Sequence, residues 1–458
     1  MPFRSLRPLL PALVASLVAC GGGSDGTPSG PVTPPAPPAV ATVEVSGLPA
    51  TMLAGETAQL TATLKDASGN ALAGRTVSYA SSDTAIATVS GSGLVTGAGH
   101  GAVTITATAE GKSGTAQGRV ALTLAARRFA FAVVDEAVPG FVVAARSDNA
   151  AGSDVRAANP APGDFVVTFG RLARADTAWR ESVMLTAASV LKRCHLNRWG
   201  AAANGRDLEV SVSCYATDGT KLNTGFSLLV LGSGTLEGRH AFLESTDSSA
   251  AHTPAAARTY NSTGGAMSVA RSFTGRYVAT FNAPRTTFPE NYFVSTLGGP
   301  RATCYLSGWN FGNTSGAACT SASSGDQDTR FVMQLVEAGR AGKRWGFTWN
   351  DRPADPVGVE ALTAANYSRT SNGERVGITR LDVSGFPGFY RVRFPGLGAL
   401  AGAKHAVQVS AYAFGRVTCS PAASRAINGG ADLAVDVSCA NHYDGAPANT
   451  NFTILIIE

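Results

Sequence analysis

One pattern returns three times in this chain. Gly163-Asp164-Phe165-Val166-Val167-Thr168-Phe169 reappears as Gly275-Arg276-Tyr277-Val278-Ala279-Thr280-Phe281 and as Gly388-Phe389-Tyr390-Arg391-Val392-Arg393-Phe394, at intervals of 112 and 113 residues. A second pattern, Asn/Asp-Thr-x-Phe, closes each copy: Asn223-Thr224-Gly225-Phe226, Asp328-Thr329-Arg330-Phe331 and Asn449-Thr450-Asn451-Phe452. A fixed period means one folding unit used repeatedly. The first landmark reads as a strand leaving a Gly turn, with aromatics on one face. The second reads as a turn whose Asn or Asp bonds its own backbone. The apolar strand that follows turns Phe226, Leu228 and Val230 inward, as it does Phe452, Ile454 and Ile456. Three β-sandwich modules of roughly six to eight strands are therefore expected, at 127–232, 237–338 and 343–458. The connections at 233–238 and 338–343 are short enough to permit either a stiff rod or a folded-back bundle. Module 2 departs from its sisters at Asn313 to Cys319, which lacks their apolar alternation.

The cysteines follow the same period. Seven are present, and six fall two to a module: Cys194/Cys214, Cys304/Cys319 and Cys419/Cys439. Six thiols allow 15 pairings. The repeat selects one of these, because each module must close on itself. Bridges between neighbouring strands are expected, each adding roughly 3 kcal/mol by restricting the unfolded chain. They require an oxidising compartment. Zinc binding is the rival reading, but thiolate zinc sites favour CxxC spacing, which is absent from the sequence.

The first forty residues carry an address. Arg4 and Arg7 precede a short apolar run that ends in Leu17-Val18-Ala19-Cys20. The run is too short to span a membrane stably and reads as a signal peptide, 1–19. The last four residues resemble the bacterial lipobox, and the resemblance implies that Cys20 carries the lipid and becomes the mature N-terminus. Two or more acyl chains anchor a protein stably. Residues 20–40 are rich in Gly, Ser, Thr and Pro and form a flexible tether. Gly21 after the Cys resembles the sorting pattern of outer-membrane lipoproteins in Gram-negative cells. A membrane partner through the N-terminal lipid, and a periplasmic or surface-exposed position, are thus expected.

Between 41 and 124, short alternating runs are separated by turn residues, as in an immunoglobulin-like sandwich. The order Leu53-x-Gly55-x-Thr57-x-Gln59-Leu60, Ser81-Ser82-Asp83, Ala87-Thr88-Val89, Gly93-Leu94-Val95-Thr96-Gly97 and Gly101-x-x-Thr104-Ile105-Thr106-Ala107 resembles the group 2 bacterial Ig-like domain (BIG2). Tyr79 stands where that family usually has Trp. The family resemblance implies surface display, as in adhesins, or a spacer role. The fold expected for the whole chain is all-β: one Ig-like domain followed by three repeated β-sandwiches.

Little in the sequence points to chemistry. The six His (His100, His195, His240, His252, His405, His442) form no metal-ligand pair and recur at no common position. No nucleophile elbow, P-loop or dinucleotide motif occurs. Asp351, Asp355 and Glu360 lie close in sequence but read as a solvated loop, while Asp148-Asn149 and Asp326-Gln327-Asp328 read as turns rather than calcium ligands. Net charge is +5 without a basic cluster, which gives no support to nucleic-acid binding. No catalytic residue, cofactor or metal is assigned. Trp199 and Trp309 each follow the first Cys of their module by five residues, and Trp345 and Trp349 form a second pair. These four are candidate contacts for a carbohydrate or protein ligand, with core packing as the alternative. The function expected is a lipid-anchored, non-catalytic display protein for adhesion or ligand binding, with weak contacts from each module adding through avidity. A purely structural spacer and a polysaccharide-acting hydrolase are the alternatives.

Overall fold

A strand buried on one face alternates apolar with polar residues, whereas a strand buried on both faces is apolar throughout. Both kinds occur in the computed structural model. It describes residues 37–458 apart from 54, 99–100, 122–128, 144–145, 174–179, 285–288, 299–301, 311–312, 322–324, 341, 384–385 and 414–415. The signal peptide, Cys20 and most of the tether lie outside the described residues. The chain is all-β, and among the described residues the helical segments Ala256–Arg258, Gly398–Gly402 and Asn428–Gly430 are short 3-10 turns.

Gly101–Ala109 in the Ig-like unit is the alternating kind, with Val103, Ile105 and Ala107 buried. It pairs with Lys112–Ala121 and Ser78–Ser81. Thr42–Ser46, Thr61–Lys65 and Ala71–Leu72 make a second sheet. Tyr79 is half-buried against both small cores of the unit. Its ring covers Gly93, where a Cβ would come within 2.9 Å of the ring. The Asp83 loop docks on module 1: Arg171 donates to the Ala85 carbonyl at 2.6 Å, and Arg206 pairs with Asp83 at 3.2 Å.

Each module is a two-layer sandwich. In module 1 the outer sheet runs Val155–Ala161, Asp164–Phe169, Leu208–Ala216, Lys192–Ala201. The inner sheet runs Asp148–Asn149, Phe129–Val134, Phe226–Gly232, Glu181–Ala187. The two sequence landmarks meet inside this sandwich. Phe165 packs on Phe226 with ring centroids 5.3 Å apart, Tyr277 on Phe331 at 5.2 Å and Tyr390 on Phe452 at 5.3 Å.

The Asn or Asp of the second landmark acts differently from the sequence expectation. It accepts the backbone N–H of the distant Gly rather than bonding its own turn: Gly163 to Asn223 at 2.7 Å, Gly275 to Asp328 at 2.9 Å, Gly388 to Asn449 at 2.9 Å. All three glycines have positive φ. A Cβ on any of them would sit within 2.7 Å of the carbonyl oxygen of the module's second cysteine. One locus per module therefore joins both landmarks and the disulfide strand, which is why they recur together.

The cysteines are bridged Cys194–Cys214, Cys304–Cys319 and Cys419–Cys439. Each pair is directly opposed across neighbouring antiparallel strands.

The modules do not stand as separate beads. The outer sheet of module 1 continues into the inner sheet of module 2 through a parallel contact, Leu196 with Leu297. The outer sheet of module 2 continues into the inner sheet of module 3 in the same way, Leu306 with Tyr412. Pro421 occupies the corresponding position of module 3. Lacking an N–H, it breaks the pattern, and a cavity of about 310 Å³ lined by Pro421, Ala422, Val133 and Thr186 opens at this third seam.

The three inner sheets turn their second faces toward one another. Phe131, Leu229, Phe293, Phe347, Leu455 and Ile457 form a common core around a pseudo-threefold axis, each no more than 2 % exposed. A cyclic set of hydrogen bonds closes around that axis. Leu185 N–H donates to Ser295 Oγ at 3.0 Å, Val294 N–H to Ser410 Oγ at 3.2 Å, and Val409 N–H to Thr186 Oγ1 at 3.1 Å. The three hydroxyls are equivalent in the repeat. Each module thus supplies a donor to the next and an acceptor to the previous one. The connecting segments belong to this arrangement: Leu236 and Ala338 are buried in the common core.

Module 2 carries a charge where its sisters carry Asn. Arg271 beside Asp328, with the Gly275 N–H and the Tyr277 hydroxyl, holds that carboxyl down to about 2. A depressed folded value contributes stability above the unfolded value and loses it as pH falls through the folded one. Asp328→Asn keeps the acceptor for Gly275 but removes the ion pair. We expect it to cost about 1–2 kcal/mol at pH 6, after allowance for partial exposure, with the deficit vanishing toward pH 2. Urea titrations of both proteins at pH 6 and near pH 2 check this, and equal stability at pH 6 would refute it.

Candidate functional site

The four tryptophans have separate fates. Trp199 is 5 % exposed, inside the module 1 core, with the Arg258 guanidinium 5.3 Å from its ring centroid. Trp345 lies in the common core. Neither presents a face to solvent. Trp309 and Trp349 are brought together at the seam of modules 2 and 3, with ring centroids 5.0 Å apart. Tyr412 meets the Trp309 ring at 4.9 Å, and Tyr367 meets the Trp349 ring at 4.5 Å, both edge to face. All four rings are half-buried. Such contacts fix ring orientation and contribute beyond area burial; Trp309 also packs on the buried Tyr292 at 5.8 Å, which makes it the edge of the module 2 core at this seam.

Beside Trp309 the outer sheet of module 2 carries a cleft of about 500 Å³. That volume is within the usual range for small-molecule sites. The axial cavity ringed by Cys194, Cys304 and Cys419 is about 70 Å³, room for no more than a few waters. The cleft floor is backbone: Gly308 stands opposite Gly316, and Gly316 opposite Val278. The missing side chains leave a depression in the sheet face, into which the Ser307 hydroxyl leans over Gly316. Its walls are Val278 and Phe273, the last 60 % exposed; the Trp309 ring, opposite the buried Ser315, lies toward the module 2 core on the other face of the sheet. Its rim carries Ser307, Asn310 and Thr314. Arg276, also lining it, is engaged by both carboxylate oxygens of Asp326, at 2.7 and 3.1 Å.

The corresponding positions of the other modules are filled. Module 1 has Arg198 opposite Ser211, and module 3 has Ala423 opposite Asp436. Asp436 is clamped by Arg391 at 2.9 Å and Arg425 at 2.6 Å. The irregular segment Asn313 to Cys319 thus has a structural reason, since it supplies Gly316. The three module faces are not equivalent, and the cleft belongs to module 2.

The remaining candidates are structural. His240 and His442 are buried, and burial draws them down to about 3 and about 4. Both are neutral at ordinary pH. Asp355 pairs with Arg352 and Glu360 with Arg393, while burial raises Asp351. Asp326 and Asp328 are committed to arginines, and Asp148 lies 3.8 Å from Lys404. Among the described residues no group of three or more His, Cys, Asp or Glu is placed to hold a metal ion. No helix among them is long and apolar enough to cross a membrane.

Fold and site together define a multidomain β-protein with an immunoglobulin-like N-terminal unit. That unit is a bacterial Ig-like domain of group 2: residues 39–120 match the family's model. Among solved structures, domains 4 and 5 of the S-layer protein SbsC align at 14% identity, over 41% of this chain and 92% of that one, with a TM-score of 0.17. Domains 4–9 of the same protein align at 13% identity, over 75% of this chain and 63% of that one, with a TM-score of 0.18. Scores this low carry no structural inference. No curated protein matches the chain.

Proposed function

We propose that this is a lipid-anchored, non-catalytic binding protein of the bacterial cell envelope, in which the Ig-like domain is a stalk and the three modules form one rigid head. The observation that carries the reading is the open depression of about 500 Å³ on the outer sheet of module 2, walled by the exposed Phe273 and Val278, on a head whose three modules share one buried core. The lipobox-like Leu17-Val18-Ala19-Cys20 and the Gly/Pro-rich tether support attachment through Cys20. Outer-membrane placement follows from Gly21 in that reading. The fused head replaces avidity among three equal sites with one body whose faces differ.

The test is protease accessibility on intact cells expressing the full chain, with detection of the head by antibody. Loss of the head from intact cells supports outward display and capture of an external ligand. Protection until the envelope is opened would overturn surface display. Labelling with a fatty-acid probe, lost in Cys20→Ala, reads the anchor separately.

A further inference from the structure

Four positions of the repeat meet at every seam between modules, and the three seams fill them differently. The first is five residues after the first cysteine. It holds Trp199, Trp309 and Ser424, opposite Val210, Ser315 and Val435 in the same bulged register. The second comes from the inner sheet of the adjoining module. It holds Glu244, Trp349 and Val133, opposite Val332, Thr453 and Ser227. The third lies three residues before the strand partner of Ala241, Gly346 or Ala130, and holds Arg258, Tyr367 and Arg146. The fourth holds Leu297 and Tyr412, which make the two parallel seam contacts, and Ala188 as their counterpart.

At the first seam the Arg258 guanidinium sits 5.3 Å from the Trp199 ring centroid and pairs with Glu244 at 3.4 Å. Leu297 packs in the same cluster as Trp199. At the second seam four rings fill the four positions and pack on one another. At the third seam the ring is replaced by Ser424 and the carboxylate by Val133, and Ala188 stands in place of Leu297. The cavity of about 310 Å³ is the space these replacements leave: Val133, Arg146, Ala188, Pro421 and Ala422 line it.

Arg146 thus keeps the cation of the first seam without either of its partners. It is exposed, and among the described residues no carboxylate pairs with it. The other charges at the cavity are engaged. Lys192 lies 3.5 Å from Glu136, and Asp135 accepts the Ala137 N–H at 2.9 Å. A guanidinium favours both a ring face and a carboxylate, and the first seam supplies both to Arg258. What the third seam lacks is therefore one aromatic ring and one carboxylate. Val133, Ala188 and Pro421 give the space apolar walls, and apolar cavities take up ring compounds. Its volume suits a small molecule at an interface between domains.

We propose that the cavity between modules 3 and 1 binds a small aromatic carboxylate, with its ring in the space that Trp199 and Trp309 fill at the other seams and its carboxylate on Arg146. The site is separate from the depression on module 2, and the proposal does not depend on that depression taking a ligand.

The experiment titrates the full chain, solubilised in mild detergent, with indole-3-acetate and benzoate and with their neutral amides, indole-3-acetamide and benzamide. Calorimetry reads the affinities. Arg146→Gln removes the charge from an exposed side chain. Ser424→Trp gives module 3 the ring that modules 1 and 2 carry at this position. The expected result is that at least one acid binds and that its amide binds roughly tenfold more weakly or worse. Arg146→Gln should lower the affinity for the acid by about tenfold or more and leave that for the amide unchanged. Ser424→Trp should abolish binding of both. Should Ser424→Trp fail to fold, Arg146→Gln and the acid–amide pair still decide the matter.

Acid binding unchanged in both variants would place the ligand elsewhere and overturn the cavity as the site. Equal affinity for acid and amide would overturn the carboxylate and the role of Arg146. Absence of binding by all four probes would overturn the proposal and leave the binding-protein reading, which the intact-cell experiment tests, where it stands.

Discussion

Phe347→Ala is expected to lower the stability of all three modules at once, by about 3–5 kcal/mol. Phe347 is fully buried in the common core against residues of modules 1 and 2 as well as its own. A smaller side chain there leaves a cavity on the pseudo-threefold axis, where the surrounding rings come from three different sheets and cannot all collapse inward. The consequence differs from that of a core mutation in a bead of a chain. In independent modules, only module 3 would melt early. Here the parallel strand contacts at Leu196 and Leu306 and the hydroxyl ring of Thr186, Ser295 and Ser410 bind the modules into one cooperative body. Calorimetry of the variant should show one head transition moved to lower temperature. Hydrogen exchange should show the module 1 strand Phe226–Gly232 losing protection together with Asn451–Ile457. Retained protection in module 1 while module 3 exchanges would sink the shared-core account.

The sequence made the parts legible and hid their assembly. Repeat, cysteine pairing and strand content follow from local patterns. The Ig-like unit is readable because its strands alternate, as Gly101–Ala109 does. The assembly was also written in the chain, in a signal of another kind. Phe226–Gly232 contains Leu228 and Val230 facing the module's own sandwich, but Leu229 and Leu231 are equally buried. Asn451–Ile457 does the same with Leu455 and Ile457. Continuous apolar runs of this sort mean burial on both faces, so an inner sheet must have a second partner. Attention to one face of these strands leaves rod and bundle undecided. The cleft was half visible. The irregular segment before Cys319 stands out, but its significance depends on Gly308 facing Gly316 across a bulged register, and the same register turns Trp309 to the other face of the sheet. Trp349, Tyr367 and Tyr412 come from three distant strands or turns, and no spacing in the sequence announces that they meet.

Arg239→Met should be the most damaging single change in the segments that join the modules, and it tests their rigidity. Arg239 follows the first connection and Glu337 precedes the second; both are almost fully buried. The Arg239 N–H donates to Glu337 Oε2 at 2.6 Å, and its guanidinium pairs with Glu337 at 3.3 Å. The same guanidinium binds Glu290 and donates to the Ala283 carbonyl at 2.6 Å. Glu237 N–H donates to the Gly339 carbonyl at 2.8 Å, so the two connections run side by side. Module 3 repeats the motif as Arg344 with Glu458 at 2.9 Å, nearer the surface. A buried ion cluster is weak as a source of net stability, but removing one partner strands the others in a medium that solvates them poorly, at about 3–5 kcal/mol. Met fills most of the Arg volume, so the loss measures charge rather than packing. Arg344→Met, at the half-exposed counterpart, should cost about 1 kcal/mol or less. Guanidinium titration of the two variants separates these outcomes. Equal, small losses would mean that water reaches the Arg239 cluster and that the connections are looser than their geometry implies. A large loss at Arg239 alone would show the connections acting as buried struts, which is what a single rigid head requires.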